Sequence, residues 1–143
     1  KLGMKHGSLF WIADTIVERR GKILMIKRNF EPNKNKLDLP GGYVEKEETP
    51  KQAAIREFEE ETGLKVSIVG QLKDVDYFEV QEKTAHTFIG KIVGGKMQNT
   101  EEGKPIWINP NLITIEDLSV AQQFIPIFKE YSKYSKIEFP KLF

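Results

Sequence analysis

Three glutamates, Glu57, Glu60 and Glu61, recur at helical spacing in one acidic stretch of the chain. Residues three and four positions apart share one face of an α-helix, where like charges repel by a few tenths of a kcal/mol per pair. A bound cation would offset that repulsion, and Mg²⁺ prefers carboxylate oxygens and often shares itself with substrate phosphates. The spacing therefore indicates a magnesium site, with a solvated acidic helix face as the alternative.

The limits of this helix can be predicted from its flanking residues. Thr49 is a suitable N-cap, and Pro50 follows at the first helical position, where its missing N–H is not needed. Gly63 stands where a left-handed residue would end the helix. The face opposite the glutamates is expected to pack against a sheet and contains Ala54, Ile55, Phe58 and Thr62.

A longer pattern surrounds the three glutamates. Gly42 is followed after five residues by Glu48, and after seven more by the pair Arg56-Glu57. The remaining fixed positions are Phe58, Glu60, Glu61, Gly63 and Leu64. This arrangement resembles the Nudix box, the signature of hydrolases that act on a nucleoside diphosphate linked to another group. The resemblance implies an α+β fold, an α/β/α sandwich with a mixed β-sheet between helices.

The same resemblance implies a set of metal ligands. They would be the Gly41 backbone carbonyl and the carboxylates of Glu57, Glu60 and Glu61, around Mg²⁺ or a substituting Mn²⁺. Family members use the residue at Glu57 either as a ligand or as a general base, and we expect a catalytic part for both Glu57 and Glu60.

Four further box residues are expected to support this site. Arg56 would pair with Glu48, fix the loop before the helix and orient the neighbouring Glu57. Its role would then be either to support catalysis or only to stabilise the fold. Gly42, Glu48 and Gly63 are expected to be structural.

The chemistry implied is hydrolysis by a metal-activated water. Splitting a phosphoanhydride requires a positioned water, a proton acceptor and positive charge near the phosphate oxygens. No serine, cysteine or histidine in the sequence has the setting of an activated nucleophile. The loop before Trp107 resembles the loop that supplies a general base in the MutT-like branch of the family. Glu102 is the expected base, while Glu101 and Glu57 remain alternatives.

The resemblance to MutT-like nucleoside triphosphate pyrophosphatases extends to residues 35–42, 48–50 and 119–122. It implies that the Gln122 amide reads a purine edge, because an amide both donates and accepts hydrogen bonds. Lys27 and Arg28 are expected near the base or the phosphates. The expected reaction converts a (deoxy)nucleoside triphosphate, including an oxidised purine, to monophosphate and pyrophosphate. Alternatives are dinucleoside polyphosphate, ADP-ribose and nucleotide-sugar hydrolysis, and more remotely a non-catalytic nucleotide-binding module.

Composition sets the remaining expectations. The chain has 143 residues, 22 basic and 21 acidic side chains and no cysteine. One domain over residues 4–143 is expected, with residues 1–3 before Met4 as an expression remnant. Balanced charge argues against a stable nucleic-acid partner, and the lack of long apolar runs argues against a membrane span. We expect a cytoplasmic enzyme with a small-molecule nucleotide substrate and leave its oligomeric state open.

Patterns of β-forming residues predict strands at 8–18, 23–26, 66–69, 72–80, 84–93 and 106–108. A Ser-x-x-Gln capping box at Ser119 predicts a final helix. Pro126 is unfavourable inside it, so this helix is expected either to begin near Phe124 or to kink. The tail from Ser135 onward is expected to be loosely ordered.

Overall fold

A computed structural model describes residues 5–6, 9–77 and 83–143 of the chain. The strands are β1 (Lys5–His6), β2 (Leu9–Ile16), β3 (Glu18–Arg19), β4 (Lys22–Arg28), β5 (Leu37–Asp38), β6 (Gly41–Tyr43), β7 (Leu64–Gln71), β8 (Val75–Tyr77), β9 (Lys83–Gly95) and β10 (Gly103–Ile108). The helices are α1 (Pro50–Thr62) and α2 (Ala121–Tyr134), with short 3₁₀ turns at Pro110–Leu112 and Ile115–Asp117.

The strands form two sheets. The central mixed sheet has the order β1-β2-β9-β7, with β6 paired to β2 and β8 paired to β9. Within it β2 and β9 run parallel, and the other pairs are antiparallel. The second sheet is antiparallel, with the order β10-β4-β3 and β5 on β4.

Strand β2 shows why the two helices lie on opposite faces of the central sheet. Successive strand residues point to opposite faces, and Ile12 and Ile16 belong to the core cluster that contains the α2 residue Phe128. Ala13, between them, packs in a cluster with Ala54 of α1. The helices therefore enclose the sheet, which confirms the α/β/α sandwich expected from the sequence.

The predicted first strand is divided in two. Its main part, β2, belongs to the central sheet, whereas β3 pairs with β4 in the second sheet. Arg20 and Gly21 make the hairpin turn with φ values of 53° and 79°. Consecutive positive φ values are typical of the two-residue hairpin turns that match the twist of the flanking strands.

The predicted limits of α1 are confirmed. Thr49 Oγ1 accepts a hydrogen bond from Gln52 N at 3.1 Å, and Gln52 Oε1 accepts one from Thr49 N at 2.8 Å. Gly63 ends the helix with a φ of 77° and donates its N–H to the Glu59 carbonyl. Both ends of the acidic helix are thus held by local hydrogen bonds.

Two predictions for the C-terminal part are wrong: that Ser119 caps the last helix, and that the tail from Ser135 onward is loosely ordered. The Ser119 hydroxyl donates to Asp38 and does not cap α2, whose N-cap is Val120 without a side-chain hydrogen bond. The predicted final helix is present, but it begins at Ala121 and not near Phe124, and it includes Pro126. The tail is ordered, because Phe139 is fully buried and its ring stacks on Phe128 at a centroid distance of 4.5 Å.

Within the described part of the chain, neither helix combines the length and the apolar character needed to cross a bilayer.

Candidate metal and nucleotide site

The acidic face of α1 lies against the glycine strand β6. Glu61 is only 8% exposed, and its Oε1 accepts a hydrogen bond from the Gly41 N–H at 2.7 Å. A Cβ on Gly42 would come within 2.5 Å of Glu57 Oε2, and a Cβ on Gly41 would overlap the Asp14 carboxylate. The two glycines are therefore required where the strand backbone approaches the carboxylates most closely.

Arg56 connects α1 to the loop before it. Its Nε and Nη2 donate to the two carboxylate oxygens of Glu48 at 2.7 and 2.9 Å, the pair expected from the sequence. Its Nη1 donates to Glu57 at 2.7 Å and to Glu60 at 3.1 Å, and Nη2 reaches the Tyr43 carbonyl at 3.2 Å. These hydrogen bonds, of which the one to Glu48 has the largest effect, raise the pKa of Arg56 above its ordinary value. The guanidinium therefore holds the loop and two box glutamates together.

A second loop brings another carboxylate to this place. Glu102, just before β10, lies close enough to Glu61 to raise the pKa of that carboxyl. Burial is the main cause that raises the pKa of Glu61 to about 10; the Gly41 N–H opposes this, while Glu102 and Glu57 add to it. Burial also raises the pKa of Glu57, against the effect of Arg56. Carboxyls in this setting bind protons more tightly than in water, because their charged forms are desolvated and repel one another.

The residue types suit a divalent cation, because a hard cation replaces the protons of such carboxyls and takes oxygen ligands. Within the described residues, however, no three His, Cys, Asp or Glu side chains are already grouped as ligands of one ion. Glu57 and Glu60 point to Arg56 instead. The donor set fits the cation, and coordination requires these two side chains to turn from the guanidinium.

A pocket of about 140 Å³ lies beside the carboxylates. It extends from Gly41, Gly42 and Glu61 to the start of α2, and its wall also contains Ile12, Asp14, Asp38, Leu39, Tyr43, Lys83, Gln123 and Phe124. Two larger surface grooves, of about 660 and 930 Å³, lie around the end of α2 and the C-terminal tail. Neither groove is lined by any of the glutamates clustered at α1, whereas the smaller pocket is lined by Glu61. The smaller pocket is therefore the one where a substrate would meet these carboxylates.

Asp14 is a site residue that the sequence reasoning missed. It is 3% exposed, and its Oδ2 has no hydrogen-bond partner among the described residues. Burial and then the charge of Asp38 raise its pKa to about 8, while Lys83 acts in the opposite direction. A single acid inside the apolar strand β2 was the available signal, because such residues are rarely buried without a partner.

Arg28 is expected from the sequence near the substrate base or phosphates, and in the structure it makes contacts within the protein. Its Nη1 donates to Asp38 Oδ2 at 3.0 Å, and its Nε donates to the Pro32 carbonyl at 3.0 Å. Its guanidinium carbon lies 4.8 Å from the Phe30 ring centre. With the Ser119–Asp38 hydrogen bond, this network joins the loop after β4 to the chain before α2.

The other expected substrate residues are solvent-exposed. Lys27 lies near the end of β4, and Gln122 lies in the first turn of α2. Gln123, one position further, is the α2 amide that lines the pocket. A substrate role for Lys27, Arg28 or Gln122 stays a prediction.

The fold and the acidic helix together define an α/β/α protein with a carboxylate site beside a glycine strand. Residues 11–129 match the family model described as NUDIX domain, and the chain belongs to the Nudix family. Members of this family generally use divalent metal cations and act on nucleotide derivatives.

Curated relatives differ in their named substrates. The chain is 39% identical over 95 residues to an ADP-ribose pyrophosphatase of Methanocaldococcus jannaschii, covering 64% of this chain and 56% of that protein. It is 30% identical over 102 residues to a putative 8-oxo-dGTP diphosphatase of Bacillus subtilis, covering 70% of this chain and 66% of that protein. The chain thus spans little more than half of the first relative.

A solved structure supports the fold. A Nudix hydrolase from Nitrosomonas europaea superposes with a TM-score of 0.78 at 18% identity, covering 88% of this chain and 90% of that one.

Proposed function

We propose that this protein hydrolyses a phosphoanhydride bond in a nucleoside diphosphate derivative with the help of Mg²⁺, for which Mn²⁺ can substitute. The observation that carries the proposal is the burial of Glu61 against the Gly41 N–H, with Glu102 and Glu57 close enough for their charges to raise its pKa. It joins the box helix, the glycine strand and a distant loop around one group of acids. Such a group would be unfavourable in a protein that did not bind a cation there.

The residues of the site would have different roles in binding the cation and in positioning its ligands. The Gly41 carbonyl and the carboxylates of Glu57, Glu60 and Glu61 would hold the cation. When bound, the cation would polarise the phosphate and lower the pKa of water. Without the cation, Arg56 holds Glu57 and Glu60 by the hydrogen bonds already described, and both carboxylates would turn from it to bind the cation.

Glu102 is the proposed general base. Its charge raises the pKa of both Glu61 and Glu57, so the side chain lies near both carboxyls. A base must be within hydrogen-bond reach of the water it deprotonates, and this loop extends to the group of acids. Glu101 and Glu57 are the alternatives for this step.

The proposed substrate is a (deoxy)nucleoside triphosphate, converted to monophosphate and pyrophosphate. The pocket of about 140 Å³ adjoins the carboxylates, and it is smaller than the roughly 300–1,000 Å³ of sites that enclose a drug-sized ligand. It therefore suits one ring system, with the phosphates extending toward α1. The Bacillus subtilis relative's name refers to an oxidised purine triphosphate, which agrees with this choice.

ADP-ribose is the second candidate substrate. It is supported by the relative with 39% identity, which is named an ADP-ribose pyrophosphatase. Both candidates contain a phosphoanhydride next to a nucleoside, so both would place the reacting phosphate at the same acids.

A nucleotide panel tests the proposal. Ordinary and oxidised dGTP, ADP-ribose, a nucleotide sugar and a dinucleoside tetraphosphate would each be incubated with Mg²⁺ or EDTA, and released pyrophosphate and phosphate measured. We expect pyrophosphate from a triphosphate only with Mg²⁺. Hydrolysis of ADP-ribose alone would select the second candidate. Binding without any turnover in Mg²⁺ or Mn²⁺ would favour the non-catalytic module.

A further inference from the structure

One residue of the pocket wall, Asp14, has a buried carboxyl oxygen without a partner among the described residues. Asp14 is 3% exposed, and its Oδ2 accepts no hydrogen bond from any described residue. Buried polar atoms nearly always have a hydrogen-bond partner, and each exception requires an explanation. Asp14 lines the pocket, so a molecule bound there would lie next to the residue that lacks a donor.

The second acid of this wall is already satisfied. Asp38 Oδ2 accepts from Arg28 Nη1 at 3.0 Å, and its Oδ1 accepts from the Ser119 hydroxyl. Lys83 lies at the pocket with its Nζ 4.9 Å from the Tyr43 ring centre. The wall therefore has three carboxyl groups, those of Asp14, Asp38 and Glu61, beside one lysine. Only the Asp14 carboxyl has a buried oxygen without a partner among the described residues, and such an oxygen favours N–H donors over carbonyl oxygens.

We infer that Asp14, as the carboxylate, determines base specificity by accepting hydrogen bonds from the donor-rich edge of a guanine-type base, whose two donors would stabilise its ionised form. Guanine presents a ring N–H beside an amino group, so both donors can face one carboxyl group. Uracil presents one N–H between two carbonyls, so it offers a carboxyl group one donor and places an acceptor on each side of it. Adenine and cytosine present an amino group beside a ring acceptor, so each offers one donor.

The position of the pocket agrees with this inference, which rests on the proposed function. The pocket shares Gly41, Gly42 and Glu61 with the carboxylate site. A nucleotide with its phosphates at α1 can therefore extend its base toward Asp14. The buried ring of Phe124 provides an apolar surface for such a base.

Selectivity between GTP and ITP tests the inference, because ITP lacks only the amino group on the edge. The wild-type protein should prefer GTP in kcat/KM by about 10- to 100-fold, the usual effect of one well-placed base contact. Asp14→Asn replaces one acceptor by a donor at the same shape, and Asp14→Leu removes both acceptors. We expect the preference to fall at least about tenfold in the first variant and to vanish in the second.

Thr15→Val is the matched control. Thr15 is the next residue of β2, is fully buried, and its Oγ1 also lacks a partner among the described residues. It faces the opposite side of the strand, so its substitution should leave the GTP preference unchanged. Melting curves of all variants would show which of them fold.

The outcomes separate this inference from the proposed function. Equal kcat/KM for GTP and ITP in the wild type, or an unchanged preference in a folded Asp14→Asn protein, would overturn the role of Asp14 and leave hydrolysis intact. If no triphosphate is hydrolysed, the proposed function fails, and calorimetric binding of GMP and IMP decides the inference. Tighter binding of GMP that is lost in Asp14→Asn would support it, and equal binding would overturn it.

Discussion

Replacing Glu61 by glutamine should remove a large pH dependence of stability in the metal-free protein. Burial is the first cause that raises the pKa of Glu61 from 4.5 to about 10. Between these values the folded protein keeps a proton that the unfolded chain has lost, so the free energy of unfolding decreases as pH rises. The contribution is fully present below pH 4.5 and is lost as pH rises to about 10.

The magnitude follows from that shift. Each pH unit within the window lowers the free energy of unfolding by at most about 1.4 kcal/mol, or about 3 kcal/mol between roughly pH 5.5 and 7.5. A glutamine at position 61 can still accept the Gly41 N–H, and its amide N–H can donate to a nearby acceptor such as Glu102. It has no proton to lose. Asp14, whose pKa is also raised, adds the same slope to both proteins.

Urea unfolding in EDTA at these two pH values measures the difference. On going to the higher pH, the Glu61→Gln variant should gain about 3 kcal/mol relative to wild type. Mg²⁺ should then stabilise the wild type, by about 2.7 kcal/mol at 100 times its Kd, and the variant much less. Parallel pH profiles would show that Glu61 is not a buried protonated acid, and equal stabilisation by Mg²⁺ would show that it is not a ligand.

Three further substitutions have expected outcomes. Glu60→Gln should weaken the binding of Mn²⁺ by at least about tenfold, as measured by electron paramagnetic resonance. Glu59→Gln, which changes a neighbouring exposed glutamate outside the ligand set, should leave it unchanged; equal binding in the two variants would exclude Glu60 as a ligand. Glu102→Gln should lower kcat about 10²- to 10⁴-fold without unfolding the protein, and a larger loss in Glu101→Gln would transfer the role of base to Glu101. Arg56→Lys keeps the charge but loses the planar fork, so chemical denaturation should show about 1–3 kcal/mol less stability; an unchanged value would mean that these hydrogen bonds do not stabilise the fold.

The features that sequence reasoning predicts best are local ones. At the start of α1, Thr49 and Gln52 hydrogen-bond to each other, and at its end Gly63 donates to the Glu59 carbonyl. Each end therefore depends on residues within about one turn. The glutamate spacing is likewise a property of one helix. The pair of Arg56 with Glu48 spans only eight residues, and the family resemblance already implied it.

The features that the sequence did not predict depend on distant contacts. Asp14 reaches the site because β2 pairs with β6 and places it beside Gly41. Ser119 failed as a cap because Asp38, far away in the chain, takes its hydroxyl. The tail is ordered because Phe139 stacks on Phe128. Such contacts have no periodicity along the chain, so pattern analysis alone does not reveal them.

The central claim is that the α1 carboxylates hold a divalent cation that directs water onto a phosphorus atom. Turnover of the best panel substrate in ¹⁸O-labelled water, analysed by mass spectrometry, tests it most directly. We predict one labelled oxygen per hydrolysis on a phosphoryl product with Mg²⁺, and no labelled product in EDTA or with Glu60→Gln. Undiminished labelled product in EDTA and in that variant would contradict the account.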